Sequence, residues 1–133
     1  MVSPEELEQI RELFKNDRFA TETGAVIDEV GEHYAKVSLT ISEHHKNAAG
    51  GVMGGVYFTL ADFAFAVAAN WQKIGTVSVN TDISFVGTPK TKRIIAETEL
   101  IKDGRSTCCY NVSVTDEDGN PVAVVKVLGF KKN

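Results

Sequence analysis

Between Val56 and Ala69 the chain is apolar except at Thr59 and Asp62. An ionised carboxylate in a dry interior is costly, so the pKa of such a group rises. Acids perturbed in this way gather at functional sites. The plainer alternative is a buried Asp satisfied by a hydroxyl or a backbone N–H, holding the helix in register. Ahead of the run stands His45-Lys46-Asn47-Ala48-Ala49-Gly50-Gly51-Val52-Met53-Gly54-Gly55. This stretch is polar, then glycine-rich, and delivers the chain to a helix start. Free N–H groups there attract negative charge and suit an oxyanion. A connector whose glycines merely turn the chain is the alternative at that point.

Both features need a scaffold, and periodicity predicts one. Ser3-Pro4-Glu5-Glu6 reads as a capping box, with Ser3 as N-cap and Pro4 at the first helical position. Leu7, Ile10, Leu13 and Phe14 then share a face of a short helix ending near Asn16. A strand is expected over Ala25–Val30, turned by Gly31-Glu32. Ala35, Val37, Leu39 and Ile41 alternate with polar residues, as in a half-buried strand. The apolar run, opened by Gly54-Gly55 and closed by Asn70, Trp71 and Gln72, is a helix without a solvated face. It must therefore be buried, partly against a second subunit. Four further strands follow. Val77, Val79, Thr81, Ile83 and Phe85 alternate on the first, and Arg93–Lys102 and Ser106–Thr115 flank Asp103-Gly104, a two-residue hairpin signal. Asp118-Gly119-Asn120-Pro121 turns into Val122–Phe130. Hairpin connections make this sheet antiparallel. One sheet curled around one buried helix is an α+β architecture, read as a single domain over residues 1–133.

Composition removes several classes of function. Fourteen Lys and Arg against eighteen Asp and Glu leave a net charge of −4. With no basic stripe, nucleic acid is not expected as the partner. No apolar tract approaches the ~20 residues of a membrane span, and the N-terminus lacks the pattern of a secretory signal. Cys108 and Cys109 are adjacent, so on a strand they face opposite sides and stay reduced, which fits a cytoplasmic location. His44-His45 lacks the companions of a metal site, so no metal is expected.

The pattern His45-x-Asn47-x-x-Gly50-x-x-Met53-Gly54-Gly55, followed by Leu60-Ala61-Asp62, resembles the signature of hotdog-fold acyl-CoA thioesterases of the phenylacetate-pathway (PaaI-like) type. Val77–Phe85 is similar to that family's next strand and Pro89 to its following turn, so the resemblance spans roughly residues 20–130. Met53 departs from it, standing where the family usually has His. The resemblance implies hydrolysis of an acyl-CoA thioester, with coenzyme A as part of the substrate and no separate cofactor. Asp62 would be the general base for water or a nucleophile passing through a mixed anhydride. The Gly54 N–H would receive the oxyanion, Asn47 would orient water or carbonyl, and Ser78 would help hold the water. His45, Met53 and Gly55 would border the substrate, His45 by shaping the loop. Lys90, Arg105 and Ser106, in turns at strand ends, would meet the coenzyme's phosphates, although solvated surface positions explain them as well.

Gly54 and Asp62 are eight positions apart, about 12 Å along a helix, so one thioester carbon cannot reach both within one chain. Two antiparallel helices would bring Gly54 of one copy to Asp62 of the other. The family forms such dimers, often paired into tetramers. The second function class is a hotdog module that binds acyl-CoA without turnover; a dehydratase would want the His that Met53 replaces. Phe58, Phe63 and Phe65 could line an acyl pocket, but residues at helical spacing are more often core.

Overall fold

The computed structural model describes residues 1–132. Its elements run α1 (Pro4–Phe14), α2 (Arg18–Glu22), β1 (Val26–Gly31), β2 (Tyr34–Thr40), a 3₁₀ turn (Glu43–His45), α3 (Gly54–Asn70), β3 (Thr76–Phe85), β4 (Arg93–Asp103), β5 (Thr107–Asp116) and β6 (Pro121–Lys131). The alternating segments pair into one six-stranded sheet in the order β1-β2-β4-β5-β6-β3, antiparallel throughout. The chain leaves β2, passes through α3 and re-enters the sheet at its far edge as β3. That crossing lays α3 over all six strands. This is the α+β hotdog arrangement, with α1 as a short N-terminal helix.

Local chemistry explains the ends of the elements. The Ser3 hydroxyl accepts the Glu6 N–H at 3.1 Å, so α1 starts as its capping residues predict. Asn70 stitches the end of α3 to β3: its carbonyl oxygen accepts from Gly75 and Thr76, and its amide donates to the carbonyls of Ala66 and Thr76. Trp71 donates its indole N–H to the Gly31 carbonyl at 2.9 Å, tying the same end to β1. Leu60, Ala61, Ala64 and Val67 of α3 are wholly buried against Val37, Ile94, Ala96 and Val127 of the sheet.

Four expectations need correction. After α1 ends at Phe14 a second helix, α2, begins at Arg18; five residues are too few to display a period. The β1–β2 turn falls on Glu32-His33, with His33 at a φ of 52°. The β4–β5 connection spans residues 104–106 rather than two residues. Gly104 serves there by close approach, since a Cβ on it would lie 2.8 Å from the Thr107 carbonyl oxygen. On β3 a bulge between Ser78 and Asn80 reverses the alternation. Thr81, Ile83 and Phe85 face α3, whereas Val77 pairs with Phe130 on the outer face and Ser78 pairs with Gly129 on the helix side. As an edge strand β3 also stays largely uncovered, with Val79 and Phe85 more than half exposed.

Candidate active site

Asp62 lies on a stripe of α3, with Gly55, Phe58, Thr59, Ala66 and Ala69, that the sheet leaves uncovered. A helix apolar all round is expected to be buried all round, yet the sheet and the N-terminal helices cover only part of it, and Phe58 remains 39% exposed. Asp62 is half-buried and accepts no hydrogen bond among the described residues. Its pKa rises above the ordinary carboxylate value, chiefly because burial penalises the charge, and further because of the like charge of Asp17. A cavity of about 430 Å³ opens against it, walled by Asp17, Phe19 and Ala20 on one side and by Phe58, Thr59 and Phe63 on the other.

Gly54 is the first residue of α3. Met53 precedes it in extended conformation without a side-chain cap, so the N–H groups of Gly54 and Gly55 find no acceptor among the described residues. A side chain at Gly54 would press on the tip of the Phe85 ring of β3 at 3.0 Å, and that ring, more than half exposed, would have to shift slightly to admit it. Phe85 also lies 6.3 Å from the Tyr57 ring. Sequence periodicity offers no sign of this support for the helix start.

The loop before α3 is held from within. The His45 Nε2 stands 2.7 Å from the Thr23 carbonyl, which can only accept, so Nε2 carries the proton; Nδ1 then accepts the Ser42 N–H at 3.0 Å. His45 is buried with both ring nitrogens engaged, and its own carbonyl accepts the Met53 N–H. It positions the loop, therefore, and offers no ring nitrogen to a substrate. The Asn47 side-chain oxygen accepts from Ala49 and Gly51, and its backbone N–H donates to the Gly51 carbonyl at 2.7 Å. Only the amide hydrogens of Asn47 are left to orient anything else. Met53 is 59% exposed and Gly55 is open to solvent.

Within one chain the remaining candidates stand apart. Phe85 touches the Gly54 end of α3, and Ser78 lies seven residues away on β3, about 23 Å. Neither Ser78 nor Asn47 nor Gly54 lines the Asp62 cavity. Lys90 flanks the glycine loop, in a groove of about 530 Å³ shared with Lys46, Gly50, Gly51 and Lys92. Arg105 and Ser106 lie beyond the other end of β4, whose eleven residues span about 36 Å. Sequence reasoning passes over Asp17, which enters the cavity from a helix too short to be foreseen.

Comparison with known proteins places this architecture. Residues 49–123 match the family model described as the thioesterase superfamily. An Archaeoglobus fulgidus protein provisionally named an esterase is 30% identical over 122 residues, 91% of this chain and 79% of its own length. The acyl-coenzyme A thioesterase PaaI of Escherichia coli is 27% identical over 115 residues, covering 86% of this chain and 82% of the relative. The solved structure of the E. coli PaaI protein from the phenylacetic acid degradation operon superposes with a TM-score of 0.88 at 24% identity, over 97% of this chain and 95% of that one. With its central helix, its antiparallel sheet and its matched residues 49–123, the chain belongs to the thioesterase superfamily, as a PaaI-like thioester hydrolase of hotdog fold.

Proposed function

We propose that this chain hydrolyses acyl-CoA thioesters at a site shared between two copies. The observation that carries this reading is the presence on one helix of a half-buried Asp62 carboxyl and a Gly54 N–H that form no hydrogen bond among the described residues. Asp62, ionised, takes a proton from water as the water oxygen attacks the thioester carbonyl, or attacks that carbon itself. The Gly54 N–H holds the developing oxyanion, an interaction worth on the order of 3 kcal/mol. In the first route the carbon–sulfur bond then breaks and the proton passes from Asp62 to the leaving thiolate. In the second the thiolate leaves as a mixed anhydride forms; water then hydrolyses the anhydride to the free acid, restoring the Asp62 carboxylate and giving the thiolate its proton.

The distance of about 12 Å along α3 requires the two groups to come from different copies. The uncovered stripe of α3 and the uncovered edge strand β3 supply apolar surface for that contact. Pairing of two such dimers is supported by Val124, Leu128 and Phe130, partly exposed on the outer face of β6. Asn47 orients the carbonyl or the water through its amide hydrogens, and Met53 gives an apolar wall beside Gly54. Lys90, with Lys46 and Lys92, faces the coenzyme's phosphates; Arg105, Ser106 and Ser78 reach the site only from the other copy. A panel of short, long and aromatic acyl-CoAs with detection of released thiol tests the reading. Release from at least one member is the expected result. Tight binding of acyl-CoA with no thiol released from any of them would overturn it in favour of a binding module.

A further inference from the structure

The cavity against Asp62 contains a second acid. Asp17 is the N-cap of α2, a place where an Asp side chain ordinarily accepts an N–H from its own helix. It makes no such bond, and its backbone sits at φ −79° and ψ 72°. Its carboxylate instead lines the cavity that Asp62 lines. Phe19, Ala20, Phe58 and Phe63 make up most of the remaining wall; Asp17 and Phe19 are exposed and Asp62 is half-buried, so the two acids share a cleft that opens to solvent on the Asp17 side. The one cation on that wall, Arg18, is paired with Glu22 at 2.9 Å. The strands contribute no charged group to the cavity, and α3 contributes none besides Asp62.

We propose that Asp17 and Asp62 form a carboxylate pair, Asp17 being a positioning residue that acts on the reaction through Asp62. The proposal rests on the reading of Asp62 as the group that activates water or attacks the thioester. No bond to Asp17 forms or breaks. Burial raises the pKa of Asp17, and that of Asp62 is raised by burial and then by Asp17. The charge of Asp17 therefore bears on the titration of Asp62. The consequence for catalysis is a stronger base: with Asp17 ionised beside it, an ionised Asp62 takes a proton from water more readily. The element responsible is α2, which carries no other acid into the cavity.

The test compares wild type with Asp17→Asn and Asp17→Glu by two readouts. One is kcat/KM against pH on the acyl-CoA that wild type hydrolyses best. The other is the carbon-13 titration of the Asp62 carboxyl, assigned with Asp62→Asn. Asn caps a helix as well as Asp does, so α2 is retained, and an unchanged melting temperature checks this. In Asp17→Asn the acid limb and the Asp62 titration should both move to lower pH, by on the order of 0.5–1 unit, and the plateau should fall severalfold. Asp17→Glu should keep both near their wild-type positions. An unmoved limb and titration in Asp17→Asn overturn the pair, even if activity falls. A moved titration with no thiol released by any chain, wild type included, upholds the pair and refutes hydrolysis by Asp62.

Discussion

In the proposed mechanism Asp62 is the reacting acid, and its burial sets its charge against the fold. Its pKa is raised in the folded chain, so its ionisation works against stability above that raised value, and the burden lifts as pH falls through it. Asp62→Asn removes the base and the charge together while keeping the shape. Turnover of the best substrate should drop by about 10²–10⁴, with a melting temperature at pH 7 equal to or above that of wild type. Steady-state kinetics and a thermal scan on one preparation check both halves. Retained turnover within a few-fold would remove Asp62 from the mechanism. At this scale the motif was legible, because a carboxylate inside an apolar run is visible in any reading of the chain. Two other contributors were not. Asp17 sits nowhere near Asp62 in sequence, and Phe85 reads as an ordinary strand residue until its ring is found on Gly54.

Among the elements, the turn that carries Lys90 and the turn before β6 are anchored by one acid. Asp116, at the end of β5, is buried and accepts the Lys90 N–H at 2.8 Å together with the N–H groups of Asp118 and Asn120 and the Asn120 amide. Burial opposes its charge, yet those donors outweigh it and hold its pKa down to about 2. A depressed carboxylate stabilises the fold above its ordinary value near 4, and that contribution fades as pH falls towards 2. Asp116→Asn should therefore lower the melting temperature at pH 7 and flatten its fall between about pH 4 and pH 2; a scan of melting temperature against pH reads this directly. Equal slopes in the two proteins would deny Asp116 its anchoring part. Elements with a long, clean period were legible: the alternation of β2, the apolar run of α3, and the Asp118-Gly119 turn before β6. Those governed by one local event were not. One extra residue at the β3 bulge inverts two faces, and α2 is shorter than two helical turns.

At the scale of the molecule, the proposed mechanism turns the separation of Gly54 from Asp62 into a requirement for assembly. An Asp62→Asn chain and a Gly54→Pro chain should each be inactive, since proline at the first helical position keeps the helix but deletes the N–H. Refolded together, each mixed dimer regains one intact site of two, so about a quarter of wild-type activity should return from an equal mixture. A proven heterodimer without activity would return the whole site to one chain. All such variants must be told apart from chains that merely fail to fold, and the architecture supplies its own indicator. Trp71 is the only tryptophan, tethered to Gly31 at the far end of α3 from Gly54. Its emission should therefore report the docking of α3 on β1 and ignore events at the reacting carbon. Asp62→Asn and Gly54→Pro should leave the spectrum unchanged, and denaturant should shift it to the red in a single step. The chain thus arrives with a fluorophore already placed where unfolding, and not chemistry, alters its light.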